Sequence, residues 1–361
     1  MGRPTACDRC LARSWLLARL AGNLEIARRR IELVLALEDE ALVAAVGGER
    51  RDSVLDELAR LDVDQQRARW ANAGVELICR CDERYPGRLA ELRSSPAVLH
   101  VVGGLERFLE LVDGEPVAIV GARRPSPHGA EVARSLGRGL GCTGLTVVSG
   151  MALGIDSAAH AGALAAGAQT VAVLPGGADR PYPPSKRCLH AEIRAAGAAV
   201  SELPPGTPVR RWTFPARNRI IAALAAMTVI VEAGERSGAL LTARLARHLG
   251  RPVGAVPGSI SSPMATGPNG LLATGASVVR GPQDVLDTLF GAGVRAAASD
   301  DRPDLAPDLR ALLSAVGAGN DTAAALARSG LEPEDGLAAL AALELAGYLR
   351  RGAGGRFLVV P

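Results

Sequence analysis

The 361-residue sequence predicts an α/β fold built on a doubly wound parallel sheet, and three observations carry that reading. Short β-branched apolar runs at 117–120, 145–149, 170–174, 199–202, 228–232 and 253–256 alternate with helical stretches. Uninterrupted apolar strands separated by helices belong to a parallel sheet covered on both faces. The strand exits carry Gly121, Gly150, Pro175-Gly176-Gly177, Gly234 and Pro257-Gly258, which are turn residues where a Rossmann-like sheet presents its ligand-binding loops. Finally, 48% hydrophobic and 22% charged residues make a globular composition that excludes disordered and low-complexity classes.

Taken in order, the N-terminal residues 1–93 read as a small helical domain. Trp15, Leu16, Leu20 and Ile26 follow helical spacing, 37–46 is closed by Gly47 and Gly48, and 53–61 repeats the pattern before a short strand at 75–78 and a Tyr85-Pro86 turn. Residues 94–290 hold the Rossmann-like sheet. Residues 291–306 turn to Ala, Gly, Asp and Pro and read as a linker. Residues 307–361 offer a helix at 308–316, a second capped by Asp321, a turn at Gly330, a third helix at 333–345 and a hairpin at 348–359, the plan of a winged-helix domain.

No run of 18 apolar residues exists, and Arg13 and Arg19 interrupt the first apolar stretch, so a cytoplasmic protein without a membrane span is expected. Six cysteines in a large chain of a reducing compartment need not pair. Cys7-x-x-Cys10 and Cys79-x-Cys81 together offer a four-thiolate zinc site. The second spacing is short and the separation long, so reduced structural thiols and no metal are expected.

Net charge is +3, but it is unevenly divided. Residues 112–290 carry 17 basic and 11 acidic side chains, whereas 291–361 carry 7 and 9. The third helix of the C-terminal module begins Pro333-Glu334-Asp335 and lacks any basic or amide side chain before Glu344, so it would repel a major groove. A protein–protein role is expected for this module, with hairpin contacts from Arg350, Arg351 and Arg356 to phosphate as the alternative.

The first strand exit, Gly121-Ala122-Arg123-Arg124-Pro125-Ser126, lacks the G-x-G-x-x-G of dinucleotide binding. It offers instead a glycine turn, two guanidinium groups, a hydroxyl and a helix N-terminus, which together suit a phosphate. In the second exit Asp156 reads as a helix cap and His160 as a core residue. The densest signal is Arg210-Arg211-Trp212-Thr213-Phe214-Pro215-Ala216-Arg217-Asn218-Arg219. Four guanidinium groups serve the phosphates of a single strand and flat rings serve its unstacked bases, although each ring has a competing place in the core. Ser237 would cap a helix whose N–H groups face another phosphate, and Asn269 lies in a later edge loop. No loop pairs a nucleophile with a base, so no catalytic residue and no cofactor is expected, and the chain reads as a binding protein, not an enzyme.

Several ordered motifs carry a resemblance: residues 117–129, Ser149-Gly150 through Gly154-Ile155-Asp156 to His160, Tyr182-Pro183, the run from Phe214 to Ile221, Glu232-Ala233 with Ser237-Gly238 and Thr242-Ala243, Pro257-Gly258-Ser259, and 269–271. In these the chain resembles the DNA-processing protein A (DprA, or Smf) family, and Tyr85-Pro86 and the three-part layout also look like it. The resemblance implies a SAM/HhH-like helical domain, a Rossmann-like domain and a winged-helix domain. It implies binding and protection of incoming single-stranded DNA in natural transformation, loading of the RecA recombinase, and a homodimer through the Rossmann-like domain. Carried over by position, Arg123, Arg211, Phe214, Asn218 and Arg219 look like DNA contacts. Many relatives have lysine where Arg211 stands, arginine where Leu153 stands and asparagine where Lys186 stands. The residues' own reading extends the candidates to Arg124, Ser126, Arg217, Ser237 and Asn269. The alternative is a nucleotide phosphoribohydrolase-type enzyme, which the Pro175-Gly176-Gly177 loop resembles, although Ala178-Asp179 follows where that family has Gly-Thr.

Overall fold

Alternation along the central strands decides the layering. The computed structural model describes residues 6–297, 305–317, 319–322, 325–326 and 333–360. In strand β3 (Val117–Val120), Val117 and Ile119 pack into one helical layer and Ala118 and Val120 into the other. A strand covered on both faces has no solvent side, and β4 (Val147–Ser149), β5 (Thr170–Val173), β6 (Ala198–Ser201), β7 (Met227–Ile230) and β8 (Val253–Ala255) are likewise buried throughout. Val132, Leu136, Ala159 and Leu286 fill one layer, from helices Pro127–Cys142, Ile155–Ala165 and Pro282–Phe290. Phe108, Ile220, Leu224 and Ala243 fill the other, from helices Leu105–Asp113, Thr213–Leu224 and Ala239–His248.

With β1 (Glu76–Cys79), β2 (Val98–Val102) and β9 (Ser277–Val278) the sheet has nine strands, in the order β1-β2-β6-β5-β4-β3-β7-β8-β9. The chain winds outward from β3 through β4 and β5 to β6, then returns to β7 on the other side of β3. Val117 therefore pairs in parallel with both Val147 and Met227. The reversal opens a crevice at the carboxyl ends of β3 and β7.

Two differences from expectation stand at one edge. The strand expected within the helical part joins the central sheet as β1, and a further strand, β2, pairs antiparallel with both β1 and β6. Val98-Leu99-His100-Val101-Val102 is too short for its period to separate strand from buried helix. His100 is fully buried, its Nε2 3.3 Å from Ser14 Oγ and its ring edge-on to Trp70 at 5.1 Å.

The N-terminal helices Asp8–Arg19, Asp39–Val46 and Arg51–Ala59 surround Leu16, Leu20, Leu24, Leu42 and Val43, while helix Val63–Asn72 packs Val63 and Trp70 into a neighbouring cluster with Leu11 and Val98. Asp62 caps the last of these helices, its Oδ1 accepting from the Gln65 N–H at 2.8 Å. Trp212 closes the Leu16 cluster from the central part, and its Nε1 donates to the Ala21 carbonyl at 2.7 Å. One of the two candidate stacking rings is thereby assigned to the core.

At the C-terminus, helices Pro307–Gly317 and Pro333–Leu345 pack with the antiparallel hairpin of β10 (Leu349–Arg351) and β11 (Phe357–Val359) around Leu312, Val316, Leu343 and Phe357. The helix expected after Asp321 and the turn at Gly330 lie largely outside the described residues. The hairpin arginines are engaged internally: Arg350 pairs with Glu131, Arg351 with Glu344 at 3.0 Å and Arg356 with Asp321 at 3.1 Å. Among the described residues no helix is long and apolar enough to cross a membrane.

Candidate nucleic-acid interface

The first strand exit folds as a capped helix start. Ser126 is the N-cap of Pro127–Cys142 and Pro127 fills its first turn, where the missing N–H costs nothing. Ser126 Oγ accepts from the Gly129 N–H at 2.9 Å and donates to Glu232 Oε1 at 2.6 Å, while the Ser126 N–H donates to Glu232 Oε2 at 2.8 Å. A Cβ at Gly129 would lie 2.3 Å from the same carboxylate. The anion seat expected for a phosphate therefore holds a carboxylate of the chain's own, delivered from the end of β7. Ser126 thus spends its N–H and its hydroxyl within the protein.

The next exit is organised by a buried cation. Arg217 Nη1 donates to the carbonyls of Gly150 and Val173 at 2.6 and 2.8 Å, joining the ends of β4 and β5. A Cβ at position 150 would sit 1.7 Å from Arg217 Nη1, so a side chain there would displace this guanidinium. Burial lowers Arg217 to about 10, which still leaves it charged at neutral pH. Asp156 accepts the Gly150 N–H at 3.2 Å; burial pushes its carboxyl up, against the pull of Arg217 and of backbone amides. Helix Ile155–Ala165 is capped by Gly154, so Asp156 serves the preceding loop, not the helix end it was expected to cap. His160 is a core residue, as its position predicted. Thr170 Oγ1 gives its proton to the Val147 carbonyl, so His160 Nδ1, 2.7 Å away, is the donor to Thr170.

Between these exits lies a cleft of about 310 Å³, lined by Gly121, Arg123, Asp156, Phe214, Arg217, Asn218, Ser237 and Thr242 among others. At its rim the Arg123 guanidinium stacks over the Phe214 ring at 4.5 Å, and that ring meets Tyr182 at 5.6 Å. A cation over a ring face is electrostatically favourable and presents both charge and a flat apolar surface outward. Phe214 and Tyr182 are half-buried, while Arg123, Arg124 and Arg211 are exposed.

The candidates thus divide. Arg123, Phe214, Arg217, Asn218 and Ser237 line one cleft, with Arg217 at its floor. Asn218 Nδ2 donates to the Gly238 carbonyl at 3.3 Å, and Ser237 Oγ accepts from the Ala239 N–H at 3.3 Å. Arg219 is fully buried and ion-paired with Glu202 at 2.5 Å, so its assignment as a DNA contact is corrected. Helix Thr213–Leu224 is enclosed on nearly every side, and a guanidinium there must find a carboxylate or carbonyl inside. Asn269 is also committed within the protein: its Oδ1 accepts from the Gly258 N–H at 3.2 Å and its Nδ2 donates to the Gly258 carbonyl at 2.9 Å. Tyr182 is absent from the sequence-derived candidates. Its signal was an aromatic in a strand-exit loop of a chain with only 3% aromatics.

Comparison with known proteins decides the lineage. The model of the family DNA recombination-mediator protein A matches residues 76–290, from β1 to the end of the last sheet-covering helix. The chain belongs to this family. A putative DNA processing protein DprA of Mycobacterium tuberculosis is 42% identical over 260 residues, 70% of this chain and 66% of that relative. Another curated relative is covered over only 52% of its length. Among solved structures, the X-ray structure of DNA processing protein A from Streptococcus pneumoniae superposes with a TM-score of 0.63 at 31% identity, over 79% of this chain and 99% of that one. The Helicobacter pylori DNA processing protein A, described for its single-stranded DNA binding mode, gives 0.52 at 32% identity, over 57% and 92%. Both likenesses fit the predicted fold class, and the matched region contains the whole Arg123–Phe214 cleft.

Proposed function

We propose that the chain binds single-stranded DNA without sequence preference along the carboxyl edge of the central sheet, with Arg123, Arg124 and Arg211 holding phosphates and Phe214 and Tyr182 offering stacking surface. The observation that carries this is the Arg123 guanidinium stacked on Phe214 at the rim of an Arg217-floored cleft. Charge beside flat rings serves any single strand, because every base has a π-face and every link a phosphate. The single-stranded DNA binding mode described for the Helicobacter pylori family member supports the same reading.

A binding role is favoured over catalysis by the state of the cleft's polar groups. Asp156 is held by backbone amides, and the carboxylate of Glu232 stands where the phosphate of a mononucleotide substrate would sit. The Gly177 loop is likewise tied, with Asp179 Oδ1 accepting from the Gly206 N–H at 3.0 Å. In the cell we place the protein in the cytoplasm as a homodimer through its central domain, shielding incoming DNA during natural transformation and helping to load RecA. Residues 307–361 serve as a winged-helix module for protein contacts, a role supported by the pairing of its hairpin arginines with carboxylates of the protein itself, Arg350 with Glu131 of the central domain and Arg351 and Arg356 with Glu344 and Asp321.

Fluorescence anisotropy of a mixed-sequence oligonucleotide, single-stranded and as duplex, tests the proposal. Salt-sensitive binding that prefers the single strand is expected; preference for duplex, or no binding at low salt, refutes it.

A further inference from the structure

We propose that Cys7, Cys10, Cys79 and Cys81 bind one zinc ion, which fastens the first helix of the N-terminal domain to the edge of the central sheet. Their four Sγ atoms all lie within 4.8 Å of one another although 68 residues separate the two pairs. Cys10 Sγ and Cys81 Sγ are 3.7 Å apart. A tetrahedral ion with zinc–sulfur bonds of about 2.3 Å sets its thiolates about 3.8 Å apart. No disulfide joins any of the four, and that spacing far exceeds the roughly 2 Å sulfur–sulfur bond.

Local structure prepares the ligands. Cys7 is the N-cap residue of Asp8–Arg19 and Cys10 lies in its first turn, where the helix dipole favours a thiolate. Cys79 ends β1 and Cys81 follows in the turn. The Cys7 N–H donates to Cys79 Sγ at 3.4 Å, an outer hydrogen bond of the kind that orients and stabilises a metal-bound sulfur. Cys10 and Cys79 are buried among Leu11, Trp70, Val75 and Val98, while Cys7 and Cys81 are exposed. One half of the site is therefore built into the core and the other is open for the ion to enter. Four soft thiolates in a tetrahedral set select zinc over hard, oxygen-seeking cations. The pairs come from opposite ends of the helical domain, so a single ion closes that domain's whole chain as a loop.

The full chain, purified under reducing conditions without chelator, is tested by elemental analysis and by cobalt substitution. The expected result is about one zinc per chain, lost in Cys10→Ser/Cys81→Ser and retained in Cys142→Ser/Cys188→Ser, whose cysteines stand apart. Cobalt titrated into metal-stripped wild type should give intense tetrahedral visible bands with thiolate charge transfer, saturating at one equivalent and erased by zinc. The cobalt titration guards against the first variant failing to fold. Metal below about a tenth of an equivalent together with a weak octahedral cobalt spectrum overturns the proposal, as does another metal predominating or a thiol count showing disulfides among the four.

Discussion

Glu232 reaches from the end of β7 to the start of the neighbouring helix and takes two hydrogen bonds from Ser126, one from its backbone N–H and one from its hydroxyl. The position at which a nucleotide-binding sheet would receive a phosphate is thus filled by the protein itself, and the single-strand site proposed above is the adjoining Arg123–Phe214 cleft.

Removing that carboxylate should recreate the empty seat. Glu232→Ala is expected to lower stability by about 1–2 kcal/mol through loss of the charged partner of Ser126. Added phosphate should then raise the melting temperature of the variant and leave that of wild type nearly unchanged. Calorimetry with and without phosphate checks this, and equal responses would remove the anion-seat interpretation.

Phe214 is the ring on which the stacking proposal rests. Phe214→Ala should weaken single-strand binding by about 1–3 kcal/mol, the range for loss of one base–aromatic stack, whereas Phe214→Trp should retain most affinity. Titrations with poly-dT and mixed sequences should move together. Unaltered affinity in the alanine variant would take the ring out of the interface.

Arg211 and Arg219 stand eight positions apart and should behave oppositely. Arg219→Ala leaves Glu202 as an unpaired buried charge and should cost about 3–5 kcal/mol of stability by denaturant titration, without changing the salt slope of DNA binding by the folded fraction. Arg211→Ala should stay within about 0.5 kcal/mol of wild type in stability and reduce the salt slope by roughly 0.7.

His100 and His160 contribute to the acid limb of stability. Burial lowers each to about 3 in the folded protein, against an ordinary value near 6.5 once unfolded. The unfolded chain then binds more protons below pH 6.5, so stability is complete above that pH and falls as pH drops toward 3, by about 1.4 kcal/mol per pH unit for each histidine. Denaturant titrations at pH 7, 5.5 and 4.5 measure the slope, and His160→Gln should shed one histidine's share. A flat profile would show that neither is held neutral.

What was legible in the sequence followed from periodicity and composition. Six of the seven parallel strands announced themselves as apolar runs because both faces are buried, whereas the two-residue, partly exposed β9 did not, and Gly150 and Gly121 marked the loops where other groups crowd the backbone. β2 was hidden because five residues around His100 fit no period decisively. Within the site, Arg123 and Phe214 could be singled out by type. The roles of Arg217, Arg219 and Asn269 could not, since a guanidinium or amide in a motif looks the same whether it meets a ligand or a carbonyl 2.6 Å away. The four thiols were visible as two pairs, but only packing of the first helix on β1 and β2 reveals that they converge.

Under the proposal, exposed cations at the carboxyl edge of the sheet hold single-stranded DNA. Its most direct test is anisotropy of a labelled mixed-sequence single strand against wild type and Arg123→Ala/Arg211→Ala at two salt concentrations. Tight, salt-weakened binding by wild type, and a double variant of unchanged stability that has lost most affinity and slope, is the predicted result. Equal binding by both proteins would place the DNA elsewhere on the molecule and contradict the account.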